Sequence, residues 1–306
     1  MKKIFFWVVL LVFTKEFSQN KQVIPAFDFL INYSNCRDFT LSKNQDEMYF
    51  TVQNMNEEIS RIVFSKKVKN KWTKPNLVSF SSNFRDLEPF LSQDGLRLYF
   101  ASNRPLQDTI STSKDYDIWY VERKSVSGNW SKPINIGAPV NTEKDEFYPS
   151  VALNGNLYFT SENKNSLGKD DIFVSYWNTN KYSNPENLGT TINSSGYEFN
   201  AFIDPEEKFL IFTGYKREDG LGSGDLYISY QDTNGKWQTA KSLGETINSV
   251  AMDYCPFYDT NNNILYFTSR RNNTSNKNFQ TLADFEQEIN QYENGCSRIY
   301  KCYLKL

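Results

Sequence analysis

The chain has 306 residues, of which 39% are apolar and 16% aromatic (24 Phe, 19 Tyr), and its formal net charge is −2. Near-neutral charge excludes the basic footprint of a nucleic-acid-binding protein. The absence of histidine excludes Ser-His-Asp and Cys-His catalysis and any His-ligated zinc, haem or non-haem iron site.

The N-terminus pairs a basic Met1-Lys2-Lys3 with ten apolar residues, 4–13, and then turns polar. That length suits a signal-peptide core and is too short for a bilayer, which needs roughly 20 residues. A cleaved signal peptide is expected over 1–18, leaving 31 basic and 35 acidic residues. A single exported domain, periplasmic or extracellular, would then cover 19–306, with no membrane span.

The first predicted strand, about 23–31, carries Pro25. Proline cannot donate to a ladder and is confined to sheet edges. After it a strand-like segment recurs five times: Met48-Tyr49-Phe50, Leu98-Tyr99-Phe100, Leu157-Tyr158-Phe159, Leu210-Ile211-Phe212 and Leu265-Tyr266-Phe267. The phenylalanines lie 50, 59, 53 and 55 residues apart, near the spacing of four-stranded propeller blades. A strand a opening on an acidic residue precedes each one, joined by hairpin turns such as Asp94-Gly95 and Asn154-Gly155. A strand c follows (Asp117-Ile118-Trp119, Asp171-Ile172-Phe173, Asp225-Leu226-Tyr227). The fourth segment is predicted as strand d, with its proline on the outer edge: Trp72-x-x-Pro75, Trp130-x-x-Pro133, Tyr182-x-x-Pro185 and Trp237-x-x-Ala240. Each ends in an asparagine: Asn83, Asn141, Asn193 or Asn248.

The chain stops on a strand c, 298–306, so the last repeat lacks its own strand d. The spacing Pro25, Asn32, Asp38 matches the missing piece. The expected fold is therefore all-β: a five-bladed propeller of four-stranded blades, the last closed by the N-terminal strand. The blades cover about 38–83, 86–141, 145–193, 197–248, and 252–306 plus 23–31. Closure removes the open edge that would template aggregation.

The segments Ser92-Gln93-Asp94-Gly95-Leu96-Arg97-Leu98-Tyr99-Phe100, Asp117-Ile118-Trp119-Tyr120 and Trp130-Ser131-Lys132-Pro133 resemble the WD40-like β-propeller repeats of the TolB type, and the resemblance covers about 23–306. It implies a periplasmic or surface protein that binds partners.

The strand a acids Asp38, Glu88, Glu146, Glu198 and Asp253 are predicted to form one ring at a channel mouth, with Tyr148, Tyr197 and Tyr254 as further ligand contacts. Such a ring suits a cation, an amine or a basic peptide. No other cofactor is expected. The competing expectation is structural, each carboxylate capping a turn or pairing with a neighbouring blade. The strand c residues Asp117, Asp171 and Asp225 (with Arg61 and Arg298 at the same place in blades 1 and 5) are expected to pair with bases such as Arg104. The tryptophans should pack between blades. Gly220-Leu221-Gly222-Ser223-Gly224 lacks the Lys-Ser/Thr end of a phosphate loop and reads as a flexible connection.

The last b–c connection is lengthened over 271–295. Thr281 and Asp284 have capping-box spacing, and Leu282, Phe285, Ile289 and Tyr292 share one helical face. A helix over about 282–292 is predicted; as an addition to a regular repeat it is a place for a specific function, the competing expectation being a simple lid packed on the propeller. Of the four cysteines, Cys36 and Cys296 should lie at the same edge of blade 5 and form a disulfide, with Cys255–Cys296 as the alternative.

Two functions compete. The first is a monomeric, non-catalytic module binding a protein, peptide or glycan at the mouth. The second is a glycan-active hydrolase using carboxylates at the propeller centre. Hydrolysis needs two acids in unlike roles, about 5–5.5 Å or about 6.5–9.5 Å apart. Acids that follow a repeat favour binding, with no catalytic residue expected.

Overall fold

The computed structural model describes residues 22–107, 109–274 and 277–306; the expected signal peptide lies outside them. Five antiparallel four-stranded sheets form the blades. Blade 1 consists of Cys36–Leu41 (a), Glu47–Gln53 (b), Ser60–Val68 (c) and Asn76–Leu77 (d). Blade 2 has Asp86–Leu91, Arg97–Ser102, Asp117–Glu122 and Ile134–Asn135. Blade 3 has Glu146–Val151, Leu157–Ser161, Asp171–Ser175 and Glu186–Asn187, and blade 4 has Tyr197–Ile203, Phe209–Tyr215, Gly224–Tyr230 and Lys241–Ser242. Blade 5 has Asp253–Asp259, Ile264–Ser269 and Arg298–Tyr303, and its strand d is Ile24–Pro25 from the chain start. Strands a of successive blades touch in an unbroken cycle, 5 against 1 included. This is the expected closed five-bladed ring.

The closing strand is shorter than expected and its proline sits elsewhere. Ile24 pairs with Lys301 and Pro25 with Tyr300, and the Ala26 N–H donates to Ile299 O at 3.0 Å. The same bond is made by Val78 to Ile62, Ile136 to Ile118, Leu188 to Ile172 and Leu243 to Leu226. Ala26 is their equivalent, so Pro25 stands two places beyond Pro75, Pro133 and Pro185. Since Ala26 donates inward, the preceding nitrogen faces away from the ladder, where proline loses no bond. Residues Asp28–Asn32 then form a 3-10 helix instead of strand and put Leu30 into the core. In blades 1–4 the Trp-x-x-Pro segment leads into strand d and does not form it.

Strand b is buried on both faces, from Met48 to Thr51 in blade 1 to Leu265 to Ser269 in blade 5, because blades cover it from either side. The d-segment aromatics bridge blades as expected. Trp130 meets Tyr49 at 6.3 Å, Trp237 meets Tyr158 at 6.2 Å and Trp72 meets Phe27 at 5.9 Å. Asn141, Asn193 and Asn248 each clasp one strand c residue through both its N–H and its C=O (Ile118, Ile172 and Leu226). Asn83 does not: blade 1 has Ser81 at that position, and Asn83 is exposed.

Three local expectations are corrected. The glycine-rich connection is tightly packed, because a Cβ on Gly222 would come within 2.0 Å of Ala251 O in the next blade. Cys36 and Cys296 are free thiols. Their backbones do adjoin, with Cys36 N donating to Ser297 O at 2.9 Å. However, Cys36 is sealed in the core, while the Cys296 Sγ lies 4.0 Å from Met55 Sδ. The third concerns the insertion. The helix is present as Leu282–Ile289, capped by Thr281, but none of its residues is buried, so it is no packed lid.

Candidate functional site

The five acids do not form one ring. Pairing places Cys36, Asp86, Glu146, Glu198 and Asp253 at one level, opposite Val52, Ser102, Ser161, Gly214 and Ser269. Asp38 and Glu88 stand two residues further along. Every strand a carries the same bulge there, and the bulge residues are Asp38, Glu88, Tyr148, Asn200 and Cys255. All five have φ between 49° and 59°. That region is costly for non-glycine residues, and its five-fold recurrence marks a shared structural device. A bulge leaves a donor out of the ladder, which explains why Pro89, Pro149 and Pro256 are tolerated in innermost strands.

The outer level is structural. Asp86, Glu146, Glu198 and Asp253 each accept from the backbone N–H and hydroxyl of a Ser or Thr four residues earlier (Ser82, Thr142, Ser194, Ser249). Arg104, Arg217 and Arg271 then pair with Asp86, Glu198 and Asp253 at 2.6, 2.9 and 3.3 Å. These arginines thus serve strand a, and of the strand c aspartates Asp117 alone pairs with a base, Lys114, among the described residues. Asp117 accepts from Lys114 and Asn135, Asp171 from Asn187 and the Leu167 N–H, and Asp225 from the N–H groups of Leu221 and Gly222. Blade 1 has Cys36 in place of the acid. There Arg298 reaches across from blade 5 to the carbonyls of Leu30, Ile31 and Tyr33.

Blade 3 has Asn163 where Arg104 and Arg271 stand, so among the described residues no cation pairs with the buried Glu146, and burial pushes its carboxyl up to about 7. A carboxyl raised on folding stabilises fully below its unfolded value and loses that contribution as pH rises through the folded one. Between pH 5 and 8 the protein should lose about 1–3 kcal/mol through this group, since each tenfold gain in proton affinity on folding is worth roughly 1.4 kcal/mol. Urea unfolding of Glu146→Gln should show a flatter profile over that window; a profile as steep as wild type would refute the assignment.

The inner level is a closed network. The Arg37 Nε lies 2.6 Å from Asp38 Oδ1, and one Arg37 terminal nitrogen lies 3.0 Å from Glu88 Oε1. The Cys255 thiol donates to Asp38 Oδ1 at 2.9 Å, and the Glu88 N–H donates to Asp38 Oδ2 at 3.3 Å. The bulge N–H groups of Asp38, Glu88 and Asn200 donate to Thr268, Thr51 and Thr160 on the preceding blades. Blade 2 has Ala101 at that place, and the Tyr148 N–H turns instead to Glu88 Oε2 at 2.7 Å. The Tyr148 hydroxyl spans from blade 3 to Pro256 O of blade 5, 3.0 Å away, and plugs the axis. Burial raises the Glu88 carboxyl to about 7, with Arg37 opposing the shift and Asp38 adding to it. Burial also raises the Cys255 thiol, Arg37 opposing, which keeps it a poor nucleophile.

Above this plug the mouth is aromatic. Phe147 and Phe199 are half-buried against Tyr148, Tyr254 and Cys255. Tyr116 lies 5.0 Å from Phe147 with Arg85 over its ring, and Arg37 lies over Tyr254. Tyr197 is exposed and meets Tyr215 edge-on. So of the predicted contacts Tyr197 is accessible at the rim, while Tyr148 and Tyr254 belong to the buried layer. Sequence reading missed Arg37, Phe147, Phe199, Asn200 and Cys255. It also missed a cavity of about 890 Å³ at the opposite rim, between blades 2 and 3, lined by Arg97, Tyr99, Trp130 and Leu153 among others. A smaller one of about 410 Å³ lies between blades 3 and 4, lined by Tyr158, Tyr176, Glu207 and Trp237 among others.

Neither a family model nor a curated protein matches the sequence. Solved structures match the fold. TolB from Acinetobacter baumannii is 11% identical with a TM-score of 0.51, over 88% of this chain and 54% of that one. The chain spans about half of TolB's length. The GH43 endo-arabinanase from Bacillus licheniformis is 14% identical with a TM-score of 0.51, over 88% and 93% of the two chains. The catalytic domain of the GH62 α-L-arabinofuranosidase from Coprinopsis cinerea is 8% identical with a TM-score of 0.53, over 92% and 94%. The chain is a five-bladed β-propeller distantly similar in structure to TolB and to GH43 and GH62 propellers. At these identities the likeness concerns fold alone.

Proposed function

We propose that the chain is a non-catalytic, exported binding module that takes a protein, peptide or glycan partner at the axial mouth. The observation that carries this reading is the occupancy of the axial carboxylates. All four oxygens of Asp38 and Glu88 already accept from Arg37, Cys255 or backbone N–H groups. The charge between them is supplied by Arg37, which leaves a bound cation no role there. What remains accessible is Phe147, Phe199, Tyr116 and Tyr197 with Arg85, flat apolar faces beside a guanidinium that suit sugar rings or apolar side chains. The basic leader at 1–3 and apolar run at 4–13 support export. Calorimetric titration against cell-envelope polysaccharides and peptides is the test. Replacing Phe147 and Phe199 together by Ala should weaken the bound partner ten-fold or more in a variant that, though less stable for the loss of two half-buried rings, is still folded at the assay temperature; unchanged affinity would overturn the site.

A second reading, a glycan-active hydrolase, is favoured by one observation: beside Asp38 at the axis, burial holds the Glu88 carboxyl near 7, as a general acid requires. Release of reducing sugar from arabinan, abolished in Glu88→Gln, would put this reading first.

A further inference from the structure

The insertion between strands b and c of blade 5 is a stalk that carries a helix. Asn273 N donates to Glu293 O at 2.8 Å and Gly295 N to Arg271 O at 3.0 Å, so the two arms are tied together. Tyr292 roots the stalk, because its hydroxyl donates to Ile299 O at 2.6 Å and its ring meets Tyr300 edge-on at 5.3 Å. Tyr292 therefore belongs to the propeller contact and not to the helix face.

The helix itself has no such contact. Leu282, Phe285 and Ile289 remain 69%, 42% and 43% exposed. At about 100° per residue these three fall within one 60° stripe. A helix below about 12–15 residues is marginal in water, and most helical stability comes from packing an apolar face. Here the Thr281 cap, bonded to Asp284 N at 3.1 Å, the Phe279 ring edge-on to Phe285 at 5.3 Å and the Lys277–Glu288 pair hold it to its own stalk, and among the described residues no ring contact joins the stripe to the propeller. An eight-residue helix with an uncovered stripe on a rooted stalk is built to be covered by something else.

Charge indicates what covers it. Leu282–Ile289 contains Asp284, Glu286 and Glu288 and no base. By the same angular count, Glu286 borders the stripe on one side and Glu288 on the other, Glu288 pairing with Lys277 at 3.1 Å. This acidic border disfavours an anionic lipid surface and a second copy of the same helix. We propose that Leu282, Phe285 and Ile289 anchor this helix in an apolar groove, rimmed by Lys or Arg, on a different protein, in the i, i+3, i+7 manner of helix-in-groove recognition.

The probe is a photo-crosslinking phenylalanine analogue placed in the full chain at position 285, 289 or, facing away, 283, in the cells that produce the protein. The expected result is an adduct with one other protein from 285 and 289 and none from 283. With that protein purified, Leu282→Ser, Phe285→Ser and Ile289→Ser together should weaken binding at least a hundred-fold. Raising salt from about 50 to about 500 mM should weaken the wild type several-fold, as charge contacts require. The triple variant should melt with the wild type, since its side chains are exposed; a fall of several degrees would place the stripe in the fold and overturn the proposal. It is equally overturned by an adduct with a second copy of this chain, by flotation with vesicles of phosphatidylcholine and phosphatidylglycerol that depends on the stripe, by equal adducts from 283 and 285, or by no adduct.

Discussion

A protein lacking residues 22–33 should fail to accumulate in soluble form. The segment is short in hydrogen bonds and rich in packing. Ala26 and Leu30 are buried in the main core, and Val23, Phe27, Phe29 and Tyr33 pack against it. At about 1.5–3 kcal/mol for each large apolar side chain, their loss removes about 5–10 kcal/mol, comparable with the entire stability of a domain at about 5–15 kcal/mol. Deletion also bares strand c of blade 5 as an open edge. It strands the Arg298 guanidinium as well, which loses the carbonyls of Leu30, Ile31 and Tyr33. Leu30→Ala is the milder version and should cost about 2–5 kcal/mol in urea unfolding. A truncated protein that stays soluble with the wild-type melting temperature would mean that the ring does not depend on this closure.

The fold was legible because strand b repeats as aromatic pairs and each blade must bury both faces of it. Ring closure could be read too, since a missing strand d at one end matched a spare one at the other. The axial site could not, and the reason is register. Asp38 and Glu88 lie 12 residues before their strand b phenylalanines, Glu146 lies 13 before, and Glu198 and Asp253 lie 14 before. Treating these as one place merged a turn-capping level with a bulge level. Two signals would have separated them. Pro89, Pro149 and Pro256 follow the bulge residue, and a threonine after the strand b phenylalanine (Thr51, Thr160, Thr213, Thr268) recurs in every blade but the second, which has Ala101. Aligned on the prolines, Glu88 falls with Tyr148 and Cys255, which are not acids at all. Arg37 left no trace of its role, because its partners come from blades 1, 2 and 5 and only the closed ring unites them. The helix was readable from its cap and its periodicity, but whether its apolar face is covered depends on tertiary packing that sequence does not record.

Replacing Arg37 by Met should destabilise the protein by about 3–5 kcal/mol at pH 8, the scale for leaving buried charges uncompensated. Arg37 is the cation of the axial layer, and without it Asp38 and Glu88 face each other with only neutral donors. The loss should depend on pH in a definite direction. The Glu88 carboxyl already stands near 7 in the fold against an ordinary 4.5, so its folded form holds a proton more tightly than its unfolded form. Stability tied to it is complete below the unfolded value and drains away as pH rises through the folded one. Arg37 pulls that folded value down; removing it pushes the value further up and widens the window of loss. The Met variant should therefore differ less from wild type at pH 5, where Glu88 is protonated in both, than at pH 8, where wild type carries an ion pair and the variant must hold Glu88 protonated against the solution pH. Taking the difference between the two proteins at each pH cancels other buried carboxyls such as Glu146. Adding Asp38→Asn and Glu88→Gln to the variant should recover most of the pH 8 loss, because neutral amides of nearly the same shape remove the repulsion. Equal losses at pH 5 and pH 8, or no recovery in the triple variant, would mean that Arg37 acts by filling space above Tyr254 and not by its charge.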